Sequence, residues 1–66
     1  MNYDWTAEVV GRMHSGGISG LQLAKVCGFS NTYLSEVLHG KKGTEKTRKR
    51  IFSALEQLEN ERQTAH

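Results

Sequence analysis

Apolar residues recur along this chain in four short blocks with helical spacing, and glycines separate the blocks. Trp5, Val9 and Met13 stand every fourth residue and predict one apolar helix face. Leu34, Val37 and Leu38 repeat the pattern, and so do Ile51, Phe52, Leu55 and Leu58. There is no proline and no strand-like alternation. Gly16-Gly17, Gly28, Gly40 and Gly43 punctuate the chain. The spacing predicts helices over about 4–15, 19–27, 30–39 and 44–60, with residues 62–66 frayed. The first helix begins at Asn2 or Asp4. Gly11 inside it marks either a close helix approach or a weak spot, at about 1 kcal/mol against alanine.

The helix ends carry their own signals. Ser19 is the expected N-cap, and Gln22 three residues on completes a capping box. Ile18 and Leu23 can staple across that cap, and Gly28 suits the left-handed position that closes the segment. Ser30 repeats the cap, with Phe29 and Leu34 as the staple, and Gly40 ends the third helix. Thr44 caps the fourth, where Glu45 meets the positive end of the helix dipole.

Two short helices joined by a three-residue turn that begins with glycine form a helix-turn-helix pattern. Steep crossing needs a small inner residue, which Ala24 supplies. The turn needs positive φ, which Gly28 supplies. Phe29 plugs the core, and Leu23, Cys27, Leu34 and Val37 complete the inward set. The expected fold is all-α, one domain over 1–66, with four helices or five if a short extra turn forms. The expected function is binding of double-stranded DNA.

Composition narrows the picture. At 66 residues the chain makes one domain at most. Such a chain buries only about 60% of its unfolded surface. One cysteine excludes an internal disulfide framework and fits a reducing compartment. No apolar run approaches the roughly 20 residues that span a bilayer. Met1-Asn2-Tyr3-Asp4 lacks the start of a signal peptide. A cytoplasmic, nucleoid-associated protein is expected, with no membrane partner.

Net charge is only +2, but it is unevenly placed. Residues 1–40 carry Arg12 and Lys25 against Asp4, Glu8 and Glu36, net −1. Residues 41–50 carry Lys41, Lys42, Lys46, Arg48, Lys49 and Arg50 against Glu45, net +5. The remainder, Arg62 against Glu56, Glu59 and Glu61, is net −2. The basic block reads as a polyanion contact or as a solvated helix start. On a helical wheel Lys46, Lys49 and Arg50 point outward and Arg48 borders the apolar stripe, which favours Lys41 and Lys42 as contacts.

The segment ISGLQLAKVCGFSNTYLSEVLHG, Ile18 to Gly40, resembles the helix-turn-helix of lambda-repressor-like proteins, including the Cro- and XRE-family regulators. GKKGTEKTRKRIFSALEQL resembles the third helix of LacI-type DNA-binding heads, which share that fold group. Together the resemblance covers about residues 5 to 58. LacI-type proteins continue into a hinge and a sugar-binding domain. The extra N-terminal helix matches the Cro-like group, which points to a compact phage, plasmid or bacterial repressor without a small-molecule ligand.

The resemblance implies that Ser30 to Tyr33 opens a recognition helix, 30–39, whose N-terminal residues enter the major groove. Asn31, Thr32 and Glu36 fall at base-reading positions, with Tyr33 and Ser35 beside them. Asparagine pairs with adenine, threonine bonds a base or touches a thymine methyl, and glutamate accepts from cytosine. Tyr33 either reaches a phosphate or base edge or packs against the first helix. Ser19, Gln22, Ser30, His39, Lys41, Lys42 and Thr44 are the expected phosphate contacts. Gln22 is alternatively held in its capping box. Gly20 stands where the family often has glutamine, and His39 where asparagine is common, which makes its contact pH-sensitive.

His14, His39, His66 and Cys27 match no zinc spacing, so no metal or cofactor is expected. No acid–His–Ser arrangement is indicated, and enzyme activity is not expected. A homodimer on a two-fold site is the usual arrangement, joined through the end of the fourth helix near Leu58 or the exposed side of the first. The alternative is a protein-interaction module, an antirepressor or inhibitor, favoured by Glu36, Glu56, Glu59 and Glu61.

Overall fold

The computed structural model describes residues 4–64, the side chains of 62–64 excepted. Four helices follow in order: α1 (Trp5–Gly16), α2 (Gly20–Cys27), α3 (Asn31–Leu38) and α4 (Glu45–Thr64). No strand occurs among the described residues. No helix among them is long and apolar enough to cross a membrane.

Local chemistry sets most of the helix ends. The Asp4 carboxylate accepts from the Thr6 and Ala7 N–H groups at 3.1 and 3.4 Å and from the Thr6 hydroxyl at 2.6 Å. Those bonds favour the ionised acid and lower its pKa, the Thr6 hydroxyl most strongly, against an opposing desolvation. Asp4 is thus the N-cap, and an α1 start at Asn2 lies outside the described residues. The capping box forms as expected, with Gln22 N–H donating to Ser19 Oγ at 3.1 Å and Ser19 N–H to Gln22 Oε1 at 3.0 Å. α3 is closed by Ser30 and His39 as its caps. α4 runs on to Thr64 instead of ending near residue 60, because no glycine or proline follows Gly43 to stop it. Of the segment expected to fray, residues 62–64 are helical, and 65 and 66 lie outside the described residues.

All four helices contribute to one core. Val9 and Met13 come from α1, Leu23, Ala24 and Cys27 from α2, Leu34 and Val37 from α3, and Ile51, Ala54, Leu55 and Leu58 from α4. Burying each larger aliphatic side chain stabilises by roughly 1.5–3 kcal/mol. Trp5, Phe29 and Phe52 are half-buried and pack against this core as partial covers. Trp5 tilts over Phe52, ring centres 6.1 Å apart, which ties α1 to α4.

Polar ties run along the same seam. Arg12 reaches Glu59 through two guanidinium nitrogens, Nε at 3.1 Å, and lies 5.8 Å from the Phe52 ring centre. The hydrogen bond to Arg12 holds Glu59 below its ordinary value and raises Arg12 in turn. Gly11 is not a point of close approach: a Cβ there would meet nothing within 4 Å. Arg50 is exposed on the expected outward face, but it is not simply solvated there. Its Nε donates to the Cys27 carbonyl at 3.0 Å, placing a cation at the negative end of α2.

Candidate nucleic-acid interface

α2 and α3 are joined by Gly28, Phe29 and Ser30. The turn is built from backbone bonds that only a left-handed residue permits. Gly28, at φ 80°, donates to Ala24 and Lys25 carbonyls at 2.9 and 3.2 Å, and Phe29 N–H donates to Ala24 at 2.9 Å. Ala24 is 1% exposed, leaving no room for a larger side chain between the helices. Ser30 Oγ then accepts from Tyr33 N–H at 3.0 Å and starts α3.

With Leu34 and Val37 turned into the core, helical spacing puts Asn31, Thr32, Ser35 and His39 on the exposed face of α3 and leaves Glu36 half-buried at its border. Asn31 and Thr32 make no side-chain bond to other described residues. Gly20 lies beside Asn31: a Cβ at that glycine would sit 3.8 Å from Asn31 Oδ1, in ordinary contact. Asn31, Ser35 and His39 border a shallow groove of about 400 Å³ with Val10, Gly20 and Leu38.

Tyr33 does not belong to this face. Its ring meets Phe29 edge-on at 5.0 Å between centres, and its hydroxyl is 3.2 Å from Thr47 Oγ1 on α4. The phenol is therefore engaged with α4, and Tyr33 is withdrawn from the base-reading set. Thr47, which is buried, is its partner and also lies 3.3 Å from Thr44 Oγ1. Nothing in the residue pattern marks Thr47 for this role.

The expected phosphate contacts divide into free and engaged groups. Ser19 and Ser30 hydroxyls accept from their own helices, so each keeps its hydrogen to donate outward. The Gln22 carbonyl is held in the capping box. Thr44 accepts from Thr47 N–H at 3.3 Å as the cap of α4. His39 Nδ1 lies 2.7 Å from the Ser35 carbonyl oxygen, so that nitrogen carries the hydrogen and donates, leaving Nε2 as the acceptor of the neutral ring.

Lys41, Lys42 and Thr44, with Arg48, line an open cleft of about 530 Å³ between the α3–α4 loop and the start of α1, where Trp5 and Thr6 also line it. Gly43, at φ 127°, brings its Cα against Val37: a Cβ would lie 3.3 Å from Val37 Cγ1. Lys41 is exposed and has no ion-pair partner among the described residues. Lys42 is different, with its Nζ 3.6 Å from Glu36 Oε1. Arg48 pairs with Glu45 at 3.5 Å.

Among the described residues no three His, Cys, Asp or Glu side chains gather to hold a metal. Cys27 faces the core, and burial pushes its thiol pKa up, against a smaller opposing effect of Arg50. Comparison with protein-family models, with curated proteins and with solved structures finds no match.

Proposed function

We propose that this protein is a small helix-turn-helix regulator of the lambda-repressor-like type. It binds double-stranded DNA sequence-specifically, with α3 in the major groove, and represses transcription in the cytoplasm. The observation that carries the reading is the outward face of α3. Asn31, Thr32 and Ser35 stand exposed there, with Glu36 at the border, and Lys41 and Lys42 lie exposed just beyond. Side chains able to tell base edges apart are thus bracketed by groups able to grip a backbone.

In this reading Asn31 pairs with adenine, and Thr32 bonds a base or meets a thymine methyl. The Ser19 hydroxyl and the free N–H groups at the start of α2 hold one phosphate strand. Lys41 holds the other. One α3 covers only a few base pairs, so the protein acts as a homodimer on half-sites about one helical turn apart.

The competing reading, a protein-interaction module, draws on Val10 and Leu21, which are 49% and 56% exposed. Two scattered apolar residues are ordinary for a protein surface and favour it weakly. A titration of duplex against salt separates the two. DNA binding through several phosphates weakens linearly in log–log form. Failure to retain any duplex, random genomic fragments at low salt included, contradicts the DNA reading.

A further inference from the structure

The geometry points to Lys42 as the residue that positions Glu36 for base reading, not as an independent phosphate clamp. This inference rests on the DNA reading above. Glu36 lies in the last turn of α3 and Lys42 in the loop that follows. The backbone brings them together: Gly40 N–H donates to Val37 O and Lys41 N–H to Glu36 O, both at 3.0 Å. The loop therefore folds back over the end of α3, and Lys42 Nζ reaches 3.6 Å from Glu36 Oε1. The neighbouring Lys41, on the same loop, makes no such pair among the described residues.

A carboxylate on a DNA-facing helix has an electrostatic problem, because phosphates on both sides of the groove repel it. The ammonium beside Glu36 offsets that repulsion. It also limits where the carboxylate can swing, while leaving its second oxygen to accept from a cytosine amino group. The pair is exposed, with side chains 56% and 36% accessible, so the cation is only partly neutralised. A lysine partly neutralised by a glutamate contributes less to counterion release, so Lys42 adds less than one phosphate to the salt dependence. Lys41 adds a whole one.

Three variants test this on a duplex carrying the preferred site and on one with the base pair at Glu36 changed. Thermal unfolding of each confirms that these surface changes leave the fold intact. Lys42→Ala is expected to reduce the discrimination between the two duplexes about tenfold or more, with little change in the salt slope. Glu36→Gln is expected to free Lys42, tightening binding to the changed duplex relative to the preferred one, so that discrimination falls, and steepening the salt slope by up to about one unit. Lys42→Ala placed on Glu36→Gln should then act as an ordinary phosphate loss, weakening all sequences alike. Lys41→Ala should do so in the wild-type background. If Lys42→Ala leaves discrimination intact and lowers all affinities equally with a shallower slope, Lys42 is a plain phosphate contact and the inference is overturned. If the wild-type protein retains no duplex, the DNA reading falls and takes this inference with it.

Discussion

The two polar sides of this molecule use their charges in opposite ways. Along the α1–α4 seam Arg12 is bound to Glu59 and approaches Glu8 at 3.5 Å, over the Phe52 ring. On the outward face of α3, Asn31 and Thr32 are exposed and engage no described residue, and Lys41 beside them has no ion-pair partner among the described residues. The first arrangement is complete within the chain and serves to join helices. The second pairs Glu36 with Lys42 but leaves Asn31, Thr32 and Lys41 facing solvent on a helix anchored by Leu34 and Val37, which in the proposed reading is what meets DNA. The border between the two kinds of surface runs through Tyr33, which sits in α3 but is bonded inward to Thr47.

The frame itself is the place to break this contrast most severely. Leu34 is 1% exposed at the base of α3. Leu34→Ala is expected to cost about 2–5 kcal/mol and to abolish α3's open face together with the fold. Chemical denaturation measures it, and a loss below 1 kcal/mol means that α3 is not anchored as described. A smaller and more selective effect is expected on the open face. Asn31→Ala should leave stability within about 0.5 kcal/mol of wild type. Its cost should fall on binding, about 1–3 kcal/mol at the preferred site, with relaxed preference at one base pair. A competition titration with single-substituted duplexes reads both effects.

The closed seam should respond the other way, in stability and not in binding. Arg12→Ala is expected to cost about 1 kcal/mol, the range for a partly exposed ion pair, and to leave duplex affinity unchanged. Acid should reproduce part of that loss. Glu59 and Asp4 both titrate below their ordinary values in the folded chain. Their contributions are therefore present above the ordinary carboxylate range and fade as the pH falls through the lowered values. Melting curves from pH 7 to pH 3 should show a smaller acid loss for Glu59→Gln than for wild type. Equal losses in the two proteins would remove Glu59 from the account. The smallest effect belongs to Lys41→Ala, which should shallow the salt slope by about one unit with no change in preference.

Much of the frame was legible because its causes are local. Ser19 with Gln22, Ser30, and Gly28 act on backbone groups within four residues, so the caps and the turn follow from spacing alone. The inward residues followed from helical period in the same way. What stayed hidden depends on contacts across the fold. Arg50 looks outward on a wheel, yet the α2 terminus happens to stand within its reach. Tyr33 was ambiguous until Thr47 supplied a buried partner. Lys42 and Glu36 each suited a separate role, and only the folded-back loop couples them. α4 runs to Thr64, past the end that its apolar stripe suggests, because a missing stop signal is weaker than a present one.

Selection of bound sites from a random pool of duplex DNA tests the central claim most directly. The account predicts enrichment of one short motif, repeated with two-fold symmetry at a spacing of about one helical turn, with the information concentrated where Asn31, Thr32 and Glu36 reach. Recovery of a pool no different from the starting mixture, at low salt and with folded protein, would contradict it.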